Sequence, residues 1–106
     1  MNRLFVLLVA VGLVGCGPVI GDPCTVATEC GPGVCLNRAI APGGMCTLAC
    51  TVGGAACPAG SACTPHVIDN DTPGCLRICT KDADCRTGYT CRTEEGNSVC
   101  LGPGNL

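Results

Sequence analysis

The chain has 106 residues, with thirteen cysteines, sixteen glycines, no Trp, one Phe and one Tyr, and its formal net charge is −2. A chain this short and this poor in large apolar side chains has too little interior for an ordinary hydrophobic core, and its cysteine content is typical of a disulfide scaffold. The charges are scattered singly. Because no Lys/Arg cluster exists, we expect neither nucleic acid nor an anionic membrane surface as a partner.

Residues 1–15 have the pattern of an export signal. Arg3 precedes an unbroken run of apolar and small residues over 4–14. This run is too short to cross a bilayer, which takes about twenty residues as a helix. A basic start followed by a short apolar run is typical of a secretory signal peptide, which we predict over residues 1–15.

The signal ends in Leu13-Val14-Gly15-Cys16, which resembles the bacterial lipobox. The resemblance implies that the chain is cut before Cys16, that Cys16 carries fatty-acyl chains such as palmitate, and that this lipid makes the membrane a partner. An ordinary signal peptide requires a small residue where Leu13 lies. Setting Cys16 aside also leaves twelve of the thirteen cysteines, which can all pair. The alternative is a plain signal peptide, with Cys16 as one more disulfide cysteine.

Residues 16–23 would then be the lipidated cysteine and a tether. Pro18, Gly21 and Pro23 make regular structure in the tether unfavourable. By resemblance to enteric lipoproteins, Gly17 in place of Asp permits export to the outer membrane. We therefore expect the protein in the bacterial cell envelope, at the outer membrane or cell surface.

Three tandem units of four cysteines follow, over residues 24–46, 50–75 and 79–100, separated by two linkers of three residues. The expected disulfide cysteines are Cys24, Cys30, Cys35, Cys46, Cys50, Cys57, Cys63, Cys75, Cys79, Cys85, Cys91 and Cys100. We predict pairing within units, first to third and second to fourth, with each loop worth about 3 kcal/mol. Pairing across units is the alternative, because neighbours such as Cys46 and Cys50 make it geometrically feasible.

The fold class that we predict is small and disulfide-rich, mostly irregular, with short β-hairpins and isolated helical turns. One helical turn is expected at residues 80–84, capped by a Thr or Asp oxygen, and one hairpin is expected with strands near 89–92 and 98–101. A glycine with positive φ should reverse the chain before the third cysteine of each unit: Gly33, Gly60 and Gly88. Exposed loops are expected between the third and fourth cysteines, over 36–45, 64–74 and 92–99.

Unit three carries the pattern CTxDxDCxxGxxC, through Cys79, Asp82, Asp84, Cys85, Gly88 and Cys91. This pattern resembles the cysteine-rich modules grouped with the Dickkopf N-terminal domain, and more closely the tandem repeats of delta-proteobacterial, notably myxobacterial, surface lipoproteins. Unit one keeps the spacing less one residue, and unit two departs most, with Gly-Gly-Ala-Ala where acids are expected. The resemblance implies an extracytoplasmic interaction or structural module.

Catalysis and cofactors find little support in the sequence. His66 is the only histidine, and a hydrolase would need Ser61, Asp69 or Asp71 beside it. We interpret His66 as a solvated loop residue and Asp69-Asn70-Asp71 as an Asx-rich turn, since the EF-hand pattern fails. A capped turn accounts for Asp82 and Asp84. No Cys-x-Cys or Cys-x-x-Cys pair favours a metal, and we expect no cofactor.

Val67, Ile68, Leu76 and Ile78 either fill gaps between units, which is the default, or form an exposed contact patch. Together the patterns predict a protein that is not an enzyme: a lipid-anchored, extracytoplasmic, disulfide-rich module with a protein-interaction or envelope-structural role. Two alternatives stay open. One is a stapled protease-inhibitor-like protein that displays loop 64–74, and the other is a thiolate metal-binding protein. The protein partner and the oligomeric state are left undetermined by the sequence.

Overall fold

The computed structural model describes residues 19–54 and 57–106. It confirms the predicted fold class: short antiparallel hairpins, isolated helical turns and six disulfides. The strands are β1 (Val34–Leu36), β2 (Met45–Thr47), β3 (Ser61–Asp69), β4 (Thr72–Arg77), β5 (Thr90–Glu94) and β6 (Asn97–Leu101), and 3-10 turns lie at Ala27–Cys30 and Asp82–Asp84. The signal peptide and lipidation predictions fall on residues outside the described part. Among the described residues, no helix has the length and apolarity needed to span a membrane.

Each unit contains one two-stranded antiparallel hairpin: β1 with β2, β3 with β4, and β5 with β6. The third and fourth cysteines of a unit are direct cross-strand partners, as Cys91 and Cys100 are in β5 and β6. Side chains that lie directly opposite each other share one face of a sheet. Both cysteines therefore point to the same side of their hairpin.

The third and fourth cysteines of a unit are not disulfide-bonded to each other. Each is bonded instead to a cysteine in the first half of its unit, so the disulfides hold that first half against one face of the hairpin. The six disulfides are Cys24–Cys35, Cys30–Cys46, Cys50–Cys63, Cys57–Cys75, Cys79–Cys91 and Cys85–Cys100. This is the first-to-third and second-to-fourth pairing that the sequence analysis prefers, and no disulfide among the described residues joins two units.

The hairpin of unit three turns through Glu95 and Gly96, which have φ of 51° and 85°. Two successive positive φ angles define a type I′ turn, whose twist matches that of the flanking strands. The predicted hairpin is confirmed. Its first strand begins one residue later and ends two residues later than expected, and its second strand begins one residue earlier. The β3–β4 pair is less regular, because its register shifts between Thr64 and Asp69. Pro65 lies in this stretch and has no N–H to donate to a ladder.

The chain reversal before the third cysteine occurs in every unit. Gly60 and Gly88 have φ of 86° and 92°, as predicted. The prediction for Gly33 was wrong: the positive φ between the second and third cysteines of unit one lies at Gly31, which has φ 60° and ψ −122°. Those angles fit the first central position of a type II′ turn. Pro32 fits the second central position of this turn, because its ring fixes a negative φ.

One hydrophobic core is shared by the three units. Its buried residues are Leu36, Ile40, Ala41 and Met45 of unit one, Val67 and Leu76 of unit two, and Tyr89, Val99 and Leu101 of unit three and its tail. The prediction of exposed loops over 36–45, 64–74 and 92–99 was wrong in part. Each segment supplies buried core side chains, such as Ile40, Val67 and Val99, and the last two segments lie mostly in hairpin strands. The turns within those two segments, at Asn70-Asp71 and Glu95-Gly96, are exposed as expected.

Backbone pairing through the linkers joins neighbouring units. The buried Thr47 hydroxyl donates a hydrogen bond of 2.7 Å to the carbonyl of Cys75, whose own N–H donates to Leu48. In the second linker, the N–H of Ile78 donates to the carbonyl of Gly60 in unit two at 3.0 Å, and Ile78 forms a β-bridge with Val99 in unit three. The linkers thus extend the hairpins sideways, and the contacts between units are noncovalent.

The C-terminal tail closes the assembly on unit one. The N–H groups of Gly102 and Gly104 donate to the carbonyls of Ile40 and Ala39, at 2.8 and 3.3 Å. Leu106 packs against the shared core. Units one and three are therefore in contact, although unit two separates them in the chain.

Candidate functional site

The twelve cysteines from Cys24 to Cys100 are all in disulfides, while Cys16 lies outside the described residues. In each unit, three sulfur atoms lie within 4.8 Å of one another; these are the sulfurs of Cys24, Cys30 and Cys35, of Cys50, Cys57 and Cys63, and of Cys79, Cys85 and Cys100. A disulfide offers no thiolate, and thiolate is the form that binds metals. A unit would present three sulfur ligands to one ion only after its disulfides were reduced.

The acidic residues of unit three have a structural setting. Oδ2 of Asp84 accepts hydrogen bonds from the N–H and the hydroxyl of Thr80, both at 2.9 Å, and from the N–H of Lys81 at 3.2 Å. These donors, the backbone N–H of Thr80 first, hold the pKa of Asp84 below its usual value. Oδ1 of Asp82 accepts from the N–H of Cys91 at 2.8 Å and so ties the 3-10 turn to β5. The expected capped turn is confirmed.

Unit one repeats this turn with a longer acid. Oε1 of Glu29 accepts from the N–H and the hydroxyl of Thr25, at 2.6 and 3.0 Å, and from the N–H of Val26 at 3.2 Å. The same donors, again led by the backbone N–H of Thr25, lower the pKa of Glu29. In unit two the corresponding Thr51 instead accepts, through its carbonyl, from Gly54. The Cys-Thr opening is thus a capping signal in the two units that have an acid four residues after the threonine.

The residues considered for hydrolysis are not assembled into one site. The Ser61 hydroxyl donates to the carbonyl of Pro58 at 2.7 Å. His66 is exposed and has a positive φ of 64°, and its Nδ1 lies 2.7 Å from the carbonyl oxygen of Asn70, within reach for donation when protonated. Oδ1 of Asp69 accepts from the N–H of Asp71 at 2.9 Å, which is the expected Asx turn. That N–H is also the first cause of the lowered pKa of Asp69.

A pair of side chains in unit three contacts unit one, and the sequence analysis did not identify it. The Tyr89 ring is buried, and its hydroxyl donates to the carbonyl of Pro42 at 2.9 Å. The Arg86 guanidinium lies 4.5 Å from the centre of this ring and donates to Gly21 and Pro42, at 3.0 and 2.9 Å. Burial raises the pKa of the Tyr89 phenol, against the opposing effect of Arg86. The sequence signal was that Tyr89 is the only aromatic residue after the predicted signal peptide.

Arg38 makes the matching contact between units one and two. Its Nη1 donates to the carbonyls of His66 and Val67, at 2.8 and 2.6 Å. These carbonyls lie in the irregular stretch of β3, where the ladder with β4 is interrupted. Arg38 therefore donates hydrogen bonds to carbonyl groups of β3 at the place where the ladder with β4 is interrupted.

A groove with a volume of about 670 Å³ lies between units one and two. Its lining includes Val19, Ile20, Ala59 and Ile78, together with the Cys30–Cys46 disulfide. Val19 is 57% exposed and Ile78 is 48% exposed. Arg77 is the charged residue of the lining.

The apolar residues singled out from the sequence divide between core and groove. Val67 and Leu76 are fully buried, whereas Ile68 is half-buried and Ile78 is half-exposed at the groove. The default interpretation, that these residues fill gaps between units, holds for the first two. The alternative of an exposed contact patch describes Ile78.

Comparison of the chain with protein-family models, with curated proteins and with solved structures finds no match. The lipobox and the cysteine-repeat resemblance therefore stay predictions from the sequence.

Proposed function

We propose that the protein is a lipid-anchored, extracytoplasmic module with a protein-interaction or envelope-structural role, as the resemblance of its repeats implies. The observation that carries the proposal is the set of six disulfides, closed within consecutive units around one small shared core. Structural disulfides form and persist in oxidising compartments, so a scaffold that depends on them fits an exported protein. The Leu13-Val14-Gly15-Cys16 pattern adds the anchor.

The start of the described chain supports a short connection between anchor and folded part. The N–H of Gly21 donates to the carbonyl of Cys46 at 2.8 Å, and the N–H of Cys46 donates to Asp22 at 2.9 Å. Arg86 also donates to the Gly21 carbonyl. The predicted tether over 17–23 is therefore attached to the fold from Gly21 onward. A lipid on Cys16 would hold the module within a few residues of the membrane surface.

The contacts between units favour a rigid module over three units that move independently. Hydrogen bonds from Thr47, Arg38 and Arg86 cross unit boundaries, and the core draws side chains from every unit. A rigid body near the membrane can present a fixed surface to a protein partner or space neighbouring envelope components. Both roles need shape rather than chemistry.

The test is the intact mass of the protein extracted from its own membranes, before and after reduction and alkylation. We expect a chain that starts at Cys16 and carries acyl chains, with twelve alkylation sites that appear only after reduction. A Cys16→Ala variant should move to the soluble fraction. Membrane retention of that variant would refute the anchor, and free thiols without reduction would favour the metal-binding alternative.

A further inference from the structure

The groove between units one and two has the chemistry of a lipid site. Its lining includes Val19, Ile20, Leu48, Pro58 and Ile78 and contains no acidic residue. Its volume of about 670 Å³ lies within the range of about 300–1,000 Å³ found for small-molecule sites, which are mostly apolar with a few placed polar groups. Arg77 supplies such a group, because a guanidinium suits the ester or carboxylate oxygens at the head of an acyl chain.

The position of the groove selects the occupant. Val19 lies in its lining, three residues after Cys16. Three residues span at most about 10 Å of extended chain, so a group attached to the Cys16 sulfur starts within reach of the groove. Asp22 holds the local backbone in place by accepting from the N–H of Val19 at 3.0 Å.

We propose that this groove binds an acyl chain carried by the protein's own N-terminal lipid. This inference rests on the proposed lipidation of Cys16. With the chain in the groove, the half-exposed side chains of Val19 and Ile78 would be covered, and apolar surface would leave water on both partners. The groove thus gives the protein a place for an acyl chain whenever that chain is outside the bilayer.

The test uses the full mature chain, residues 16–106, oxidised and without lipid, and palmitate as the probe. We expect calorimetric titration to show one palmitate site. Val19→Glu and Ile78→Glu, which place a charge in the apolar lining, should each weaken binding by about tenfold or more. Val52→Glu is the matched control, because Val52 is 54% exposed, comparable to Val19, and lies outside the lining. Because these side chains are largely exposed, we expect the variants to fold.

The occupant is tested by chemistry on the same protein. In the oxidised chain, Cys16 is the cysteine outside the six disulfides and can be alkylated with a hexadecyl group. The conjugate should no longer bind palmitate, because its own chain fills the groove. Palmitate binding by the conjugate equal to that of the parent would overturn the assignment of the occupant.

Failure of this inference is distinguishable from failure of the anchor. No palmitate binding by the parent chain, or equal binding by the parent and Val19→Glu, overturns the groove as an acyl site even if the native mass shows lipid. An unlipidated native mass overturns the anchor and the choice of occupant. Palmitate binding that persists in that case supports the acyl-chain chemistry of the groove.

Discussion

Asp84 and Thr80 are joined through a single carboxylate oxygen, which accepts from both the backbone N–H and the side-chain hydroxyl of the threonine at 2.9 Å. Glu29 and Thr25 repeat this arrangement in unit one. Glu is one methylene longer than Asp, and both acids lie four residues after their threonine. The turn therefore depends on a charged acceptor at this place rather than on one side-chain length.

Acid should weaken this turn. The pKa of Asp84 is lowered in the folded protein, so its contribution to stability is present above the pKa of the unfolded chain and is lost as pH falls through the lowered folded value. Asp84→Asn should lower the midpoint of urea denaturation at neutral pH. The difference in midpoint between the variant and the parent should shrink when the pH is below the range in which carboxyl groups usually ionise. Asp71→Asn, the same change at the exposed β3–β4 turn, is the control. A difference that stays constant across this pH range would contradict the charged-acceptor role.

Removing the Tyr89 hydroxyl should destabilise the contact between units one and three. Tyr89→Phe keeps the buried ring but removes one of the two donors to the Pro42 carbonyl, which then keeps only its hydrogen bond from Arg86. We expect a loss of about 1 kcal/mol in the free energy of unfolding, measured by urea denaturation followed by circular dichroism. Unchanged stability would mean that water replaces the hydroxyl at no cost.

Gly74 should tolerate no side chain. A Cβ there would lie 2.8 Å from Cγ1 of Val67 and 2.9 Å from Oγ1 of Thr47, where units one and two meet. Gly74→Ala should therefore cost about 1–3 kcal/mol as an overpacked site. Val67→Ala removes the first clashing atom. The double variant should therefore lose less free energy of unfolding than the two single variants lose together. Simple additivity in the urea midpoints would show that the clash is relieved elsewhere.

Mild reduction should open unit two before unit one. Cys50 and Cys63 are both partly exposed, whereas Cys30 and Cys46 are 5% and 3% exposed. Thiol–disulfide exchange requires access to a sulfur atom. Mass spectrometry of alkylated partial-reduction products should find label at the exposed pair first. Early label at Cys30 and Cys46 would indicate that unit one opens more readily than its burial suggests.

The sequence predicts local features of this fold well, because their causes are local. The hairpin of unit three turns at Glu95-Gly96, next to the strands that it joins. The Thr80 to Asp84 segment contains both the turn and the carboxylate that caps it. The same logic failed at Gly33, because a Gly-Pro-Gly segment can place its positive φ on either glycine and the turn formed here places it on Gly31. Neighbouring residues decide these outcomes, so a pattern within one unit is enough to find most of them.

The core and the groove could not be predicted in the same way. Ile40 is fully buried because the chain near Gly102 lies across it, some sixty residues later in the sequence. The groove is lined by residues from both units one and two, which are held together by contacts between residues far apart in the chain, such as that of Thr47 with Cys75. Cysteine spacing indicates the disulfide pairing and the hairpin within a unit, but it carries no information about how the units pack against one another.

Disulfides that overlap within a unit limit how far an anchored chain can be stretched. In unit one the shortest covalent path runs along the backbone from Cys24 to Cys30 and then crosses to Cys46. That path covers about six residues, roughly 20 Å when extended, and bypasses the remaining backbone of the unit. Units two and three have the same crossing at Cys57–Cys75 and Cys85–Cys100. A pulling force could pull the three units apart at their shared core. Beyond that point the disulfides would prevent each unit from extending further than its short covalent path.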